Sequence, residues 1–329
     1  MNTPLTKPFI TREQIMKKVA IIQEAPCVLD KKATIQKAVE IVHSVSEKGA
    51  ELIVFPEAFI PGYPAWIWRL RPGADWGVSE ALHTRLLQNS VDMSSDDLKP
   101  LLEAAKQRAV TLVCGLNERD NANSQSTIYN TAITIDPQGK IVNHHRKLMP
   151  TNPERMVWGF GDGHGLNVIA TPVGKIASLI CWENYMPLAR YALYSQGVEI
   201  YIAPTYDSGE AWIGTMQHIA REGKCWVLCC GVALQRKDLP EDFPDLDRLY
   251  PADEDWINPG DSLIVSPNGE IMAGPMSKEK GYLLLDIDVA KAASSKRALD
   301  VAGHYSRPDV FKLEVDKSRQ SPVSFKNQS

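Results

Sequence analysis

No apolar run in this chain of 329 residues approaches the roughly 18–20 residues needed to cross a bilayer. The leading segment, MNTPLTKPFITREQIMKK, also lacks the apolar core of a secretory signal. Both absences lead to the expectation of a cytoplasmic protein with no membrane partner. A dominant charge is missing as well: 36 basic against 40 acidic residues leave a formal net charge of −4, and no Lys/Arg cluster stands apart. Nucleic acid is therefore not an expected partner. There is no CxxC pair of the kind that redox and zinc motifs use. The six cysteines, Cys27, Cys114, Cys181, Cys225, Cys229 and Cys230, fall mostly inside apolar runs without the spacing of a disulfide-stapled domain. In a reducing compartment they remain thiols. A zinc site could draw on His218, Cys225 and Cys229, but KCWVLCCGVAL reads as a run of buried small hydrophobes, so no metal is expected.

What is present is enough length, and at 44% hydrophobic enough apolar character, to bury a substantial core. With no internal repeat and no compositional break, residues 17–316 read as one domain between tails at 1–16 and 317–329. Ile35, Ala38, Val39, Val42 and Val45 recur at helical spacing within 31–48, and Gly49 follows as a stop. ELIVFPE then reads as a short buried strand ending at Glu57. SSDDLKPLLEAAKQRA predicts a helix, acidic at its start, feeding the strand VTLVCGL. TAITID and KIVNHH flank Pro137-Gln138-Gly139 as a hairpin. VGKIASLI is a strand broken at Cys181, and a helix through PLARYALYSQ follows until Gly197 ends it. VEIYIAP, KCWVLCCGVAL, DSLIVSP and GYLLLDI complete the strands. One more helix carries Trp212, Met216, Ile219 and Ala220, and Asn268-Gly269 predicts a two-residue hairpin turn. The polar stretch 236–260 reads as a long solvated loop. Helices and strands in alternation, mixed with hairpins, predict a mixed-sheet α/β fold.

Three reactive side chains fall at strand ends on this map. Glu57 ends one strand, Lys147 lies just past the second arm of a hairpin, and Cys181 ends a third. Ligands of α/β sheets gather outside strand carboxyl ends, so groups distant in sequence can converge there. Where its strand turns towards a helix, Cys181 would face free N–H groups, and these with a nearby ammonium would lower its pKa. Lys147 is the candidate ammonium, and Glu57 the candidate base for the thiol proton or for water. No histidine neighbours Cys181 in the chain, so a carboxylate would serve as the base. Spacing alone goes no further. A cysteine ending an apolar strand is more often core, a glutamate after Phe55-Pro56 can cap or pair on the surface, and Lys147 can be a solvated cation.

The segments around these residues carry more. FPEAFIPGYP, then HRKLMPT with ERMVWGFGDG, then CWENYMPLAR resemble in order the three catalytic blocks of the nitrilase superfamily of carbon–nitrogen hydrolases. HIAREGKCWVL, SLIVSPNGEIMAGP and GHYSRPDVF look like its flanking segments, so the likeness covers nearly the whole chain. The resemblance implies catalytic roles for Glu57, Lys147 and Cys181, and a supporting glutamate at Glu154 that holds Lys147 or the substrate. It also implies a four-layer α-β-β-α sandwich assembled as a homodimer or a larger homo-oligomer built from dimers. Amidase-like branches commonly read Cys-Tyr-Asp at the nucleophile, whereas CWEN and the ERMVWG block look like true nitrilases. The expected reaction is hydrolysis of an organic nitrile to acid and ammonia through a thioimidate and a thioester on Cys181, with water and no cofactor. Tyr63, Trp158 and Trp182 are the expected pocket residues, the Trp182 N–H a second oxyanion donor, and Trp66 and Trp68 are read as core. The loops after Glu57, after Glu154 and around 205–212 would set the pocket's size. An aliphatic amidase or a cyanide-degrading enzyme would use the same Glu-Lys-Cys set, and a catalytically silent dimeric scaffold is the non-enzyme alternative.

Overall fold

The computed structural model of the chain describes residues 16–321 and residue 323. The expected N-terminal tail, 1–16, lies outside the described residues except for Met16, which already begins strand β1 (Met16–Gln23). In β1, Val19 and Ile21 belong to one core cluster and Ala20 and Ile22 to another. A strand buried on both faces must lie between two layers. The chain continues through α1 (Lys31–Ser46) to β2 (Leu52–Val54), then through α2 (Trp76–Asn89), the short β3 (Val91–Asp92) and α3 (Lys99–Arg108) to β4 (Thr111–Arg119). β1, β2 and β4 lie parallel, and the hairpin β5 (Ile128–Ile135) and β6 (Ile141–Arg146) extends them.

The second half repeats the pattern. β7 (Ile169–Thr171), β8 (Gly174–Ser178), α4 (Pro187–Tyr194), β9 (Ile200–Thr205), α5 (Glu210–Gly223) and β10 (Trp226–Gly231) supply parallel β8, β9 and β10. After β11 (Ala233–Gln235) and α6 (Leu246–Leu249), antiparallel β12 (Trp256–Val265) and β13 (Ile271–Ser277) complete the second sheet. β14 (Gly281–Asp288) returns to pair with β1 in the first sheet, and α7 (Ala290–Ser295) follows.

Three apolar interfaces join these pieces. Ile35 and Val42 of α1 and Leu101 of α3 cover Ile22, Ile53 and Leu112 on the outer face of the first sheet. Leu193 of α4 with Trp212 and Met216 of α5 cover Tyr201, Val227 and Cys229 on the second. Between the sheets, Ile21, Val54 and Val113 meet Ile202, Leu228 and Ile264. Each such side chain contributes about 1.5–3 kcal/mol when fully buried, and together they stack the α-β-β-α layers expected of the mixed α/β fold. The adjacent cysteines obey the same alternation: Cys229 accepts the Trp212 indole N–H at 3.1 Å on the helix side, while Cys230 points into the space between the sheets.

Two expectations change. Both hairpins turn through three residues, Pro137-Gln138-Gly139 and Pro267-Asn268-Gly269; the second is not a two-residue turn at Asn268-Gly269. Asp136 N–H donates to Lys140 O at 2.9 Å and Ser266 N–H to Glu270 O at 2.8 Å, closing each loop. Proline sets the φ of a type I opening, and only the glycines, at φ +74° and +87°, take the left-handed position that ends it. The stretch 236–260 is not a solvated loop. Phe243, Leu249 and Tyr250 are buried with Trp66, Leu82 and Leu86, and β12 begins at Trp256 because its first residues pair with β11.

Candidate active site

Glu57, Lys147 and Cys181 each leave a strand and enter the same place. Beyond β2 the chain runs on beside β4, with Ile60 N–H donating to Gly115 O at 3.2 Å and Asn117 N–H to Ile60 O at 2.7 Å. A Cβ at Gly115 would lie 2.2 Å from Pro56 O, so glycine is what lets the Glu57 segment approach this closely. Lys147 follows β6 and its N–H donates to Asn130 O at 2.7 Å. Cys181 opens a 3₁₀ turn, Cys181–Tyr185, after β8, with φ +50°. A non-glycine residue held there costs on the order of 1–3 kcal/mol. That turn separates the thiol from α4, which begins only at Pro187, so the N–H groups near Cys181 come from the start of a short 3₁₀ turn and not from the α-helix expected.

The side chains converge as a buried charge cluster. Lys147 Nζ donates to Glu57 Oε1 and to Glu154 Oε2, both at 2.8 Å, and all three side chains are essentially inaccessible. Glu57 Oε1 also accepts from Asn130 Nδ2 at 2.7 Å and Oε2 from the Tyr206 N–H at 2.7 Å. Glu154 Oε2 accepts the Thr151 N–H at 2.6 Å, and Oε1 the Tyr63 hydroxyl at 2.6 Å. That hydroxyl in turn accepts from Trp68 Nε1 at 2.8 Å. Tyr63 stacks on Tyr206 with ring centroids 3.8 Å apart, so one aromatic pair touches both carboxylates.

Charge counting sets the electrostatics. Two carboxylates around one ammonium leave a net negative cluster beside the thiol. Burial, then the Glu57 charge, hold Cys181 well above the usual thiol range; Lys147 and a hydrogen bond with Thr205 oppose this without overcoming it. The expected lowering of the Cys181 pKa is therefore reversed. Burial would lower Lys147, but Glu57, and after it Cys181 and Glu154, raise it, so the ammonium is firmly charged. Burial raises Glu57 against the pull of Lys147, which makes it a better proton acceptor than a solvated carboxylate.

A cavity of about 290 Å³ opens onto this cluster, lined in part by Tyr63, Trp68, Cys181, Trp182, Tyr206 and Ile257. The structure thus brings Glu57, Lys147, Cys181, Glu154, Tyr63 and Trp182 together. Trp158 is one layer back: 2% exposed, edge-on to Tyr63, with Lys147 Nζ 5.7 Å from its ring centre. Trp66 is core, packed on Phe243, but Trp68 is half-exposed and forms pocket wall. Sequence reasoning missed Asn130, Thr205 and Tyr206. Of these, Thr205 and Tyr206 lie in the 205–212 stretch expected to shape the pocket, just past the apolar run VEIYIAP at a strand's carboxyl end, but neither was singled out. His218 is largely exposed and pairs with Glu222, whereas Cys225 and Cys229 are buried. Among the described residues no helix is long and apolar enough to cross a membrane.

Residues 18–297 match the profile of the carbon-nitrogen hydrolase family. The chain is 38% identical to Nitrilase 2 of Arabidopsis thaliana over 99% of its own length and 96% of that protein. It is 39% identical to the aliphatic nitrilase of Sinorhizobium fredii (strain HH103), covering 93% and 97% of the two chains. Among solved structures it is similar to Saccharomyces cerevisiae Nit3, a member of branch 10 of the nitrilase superfamily, with a TM-score of 0.68 and 20% identity over 88% of this chain and 96% of that one.

Proposed function

The chain belongs to the carbon–nitrogen hydrolase family, in its nitrilase branch, and we propose that it hydrolyses an organic nitrile to the carboxylic acid and ammonia through Cys181. The observation that carries the reading is the Lys147 ammonium buried between Glu57 and Glu154, in a cluster whose Glu154 lines a cavity together with a strained cysteine. Because the resting thiol is protonated, attack and deprotonation are coupled: Glu57 takes the thiol proton as sulfur bonds to the nitrile carbon, and that proton passes to nitrogen to give the thioimidate. Glu57 then deprotonates a water that adds to the same carbon. The tetrahedral species expels ammonia, protonated by Glu57, and leaves a thioester. A second water releases the acid and restores the thiol. Lys147 and the Trp182 N–H stabilise the negative charge that develops at each addition. Glu154 holds Lys147 in place, and Tyr63, Trp68 and Trp182 wall the pocket.

Similarity to two nitrilases supports a nitrile over an amide or cyanide. The proposal extends to a cytoplasmic homo-oligomer built from dimers, for which Leu188 at 66% exposure and Phe311 at 77% supply apolar surface for a second copy. The test is ammonia release across a panel of aliphatic nitriles, aromatic nitriles and amides. Cys181→Ala is expected to abolish release while the circular dichroism stays unchanged, and mass spectrometry should find the substrate's acyl adduct on Cys181 of the wild type. Full activity without Cys181 would end the reading.

A further inference from the structure

Glu183 and His145 take no part in the chemistry above, yet both are buried with fully inaccessible side chains directly behind it. Glu183 Oε1 accepts the backbone N–H of Leu148 at 2.6 Å, one residue beyond Lys147. Its Oε2 accepts the backbone N–H of Ile180 at 2.6 Å, one residue before Cys181. His145 Nε2, from β6 in the first sheet, contacts both oxygens at 3.1 and 3.0 Å. One carboxylate thus joins the exit of β6 to the exit of β8, strands of different sheets. The next hydrogen bonds from the same turn run within the second half, Asn184 Nδ2 to Leu179 O at 3.0 Å and to Cys181 O at 2.7 Å.

From this geometry we infer that Glu183, oriented by His145, is a positioning residue that sets the separation between the Lys147 ammonium and the Cys181 sulfur. The inference rests on the reading of Cys181 as nucleophile and Lys147 as its cation. A carboxylate is required rather than any polar group, because two converging N–H donors and a ring N–H need acceptors on both oxygens. Glutamine offers one acceptor and turns an NH₂ towards one of the backbone N–H groups. Either the Lys147 segment or the Cys181 turn must then move away. A displacement of about 1 Å at reacting groups can cost roughly 10²-fold in rate.

The experiment compares wild type with Glu183→Gln, Glu183→Asp and His145→Gln in two assays. One is steady-state nitrile turnover, with kcat expressed per Cys181 thiol titrated. The other is the rate of Cys181 alkylation by iodoacetamide, followed by mass spectrometry. Glu183→Gln and Glu183→Asp should lose about 10²-fold in kcat with KM changed less than about threefold, and alkylation should slow in step. His145→Gln, which keeps a donor for the carboxylate, should lose much less. A wild-type kcat per titrated thiol in either Glu183 variant overturns the inference. So does insolubility of both, which would make Glu183 a folding residue alone. Failure of the wild type to turn over any nitrile would refute the proposed substrate instead, and the alkylation rates would still decide the role of Glu183.

Discussion

Tyr63 uses both capacities of its hydroxyl, donating to Glu154 at 2.6 Å and accepting from the Trp68 indole at 2.8 Å. Replacing it with phenylalanine keeps the stack on Tyr206 but leaves a buried carboxylate oxygen without its donor. Hydrogen bonds to charged groups are worth about 1.5–3 kcal/mol, so Tyr63→Phe should lower kcat/KM roughly 10- to 100-fold. Unchanged steady-state kinetics would show that Glu154 holds Lys147 without help. This residue also marks how far the sequence could be read. Glu57, Lys147 and Cys181 were legible because each stands just past a readable strand, inside a distinctive block. Asn130 was not, because it lies mid-strand in IYNTAITI, where nothing in the alternation separates a polar group aimed at a carboxylate from one aimed at solvent. Tyr206 and Ile180 reach the site through backbone N–H groups, which every residue has. The left-handed φ of Cys181 was equally hidden, since no glycine stands there to announce it.

Single elements show the same division between pattern and context. β4, β5 and β6 read as strands from apolar alternation and proline-glycine punctuation, and beside their backbone ladders one carboxylate, Glu118, ties all three together. It accepts from Thr131 Oγ1 at 2.6 Å, from His144 Nε2 at 2.6 Å and from the Arg146 guanidinium. Burial would raise its pKa; the hydrogen bonds from His144 and Arg146 outweigh that and bring it from 4.5 to about 2. A carboxyl group depressed on folding stabilises the fold above its unfolded pKa, and that stabilisation disappears as pH falls towards the folded value. The window is therefore pH 4.5 down to about 2, and the full contribution is about 3 kcal/mol. Thermal melts of wild type and Glu118→Gln should differ most above pH 5 and converge only as the pH reaches about 2. A gap that stays constant with pH would mean that the ionised form of Glu118 adds nothing. The 236–255 segment makes the converse point. The polar composition of 236–260 predicts a solvated loop, but a few apolar residues, Leu239, Phe243, Leu249 and Tyr250, fold this part of it onto the core beside the pocket.

Across the whole molecule, Glu57 and Lys147 hang from one sheet, and Cys181 and Tyr206 from the other. The site exists only while the sheets keep their spacing. Apolar contact fixes how closely the sheets approach but resists sliding weakly, because it is not directional. Gln23, at the end of β1, supplies direction. Its Nε2 donates to Met276 O at 2.8 Å and Glu279 O at 2.7 Å, and its Oε1 accepts the Ser262 N–H at 2.9 Å. The side chain is wholly buried, and a Cβ at Gly260 would fall 2.2 Å from it, so the second sheet is shaped around it. Gln23→Leu has nearly the same volume but strands a buried N–H and two carbonyls, at a cost of about 2–4 kcal/mol. The unfolding midpoint should fall by several degrees. If Gln23 clasps the sheets as one cooperative unit, loss of activity on heating should follow loss of tertiary circular dichroism in both proteins, displaced to lower temperature in the variant. If the variant instead loses activity well below its own melt, the sheets can slip past each other while still folded. The register of the site would then belong to contacts nearer Cys181, with Glu183 the first of them to examine.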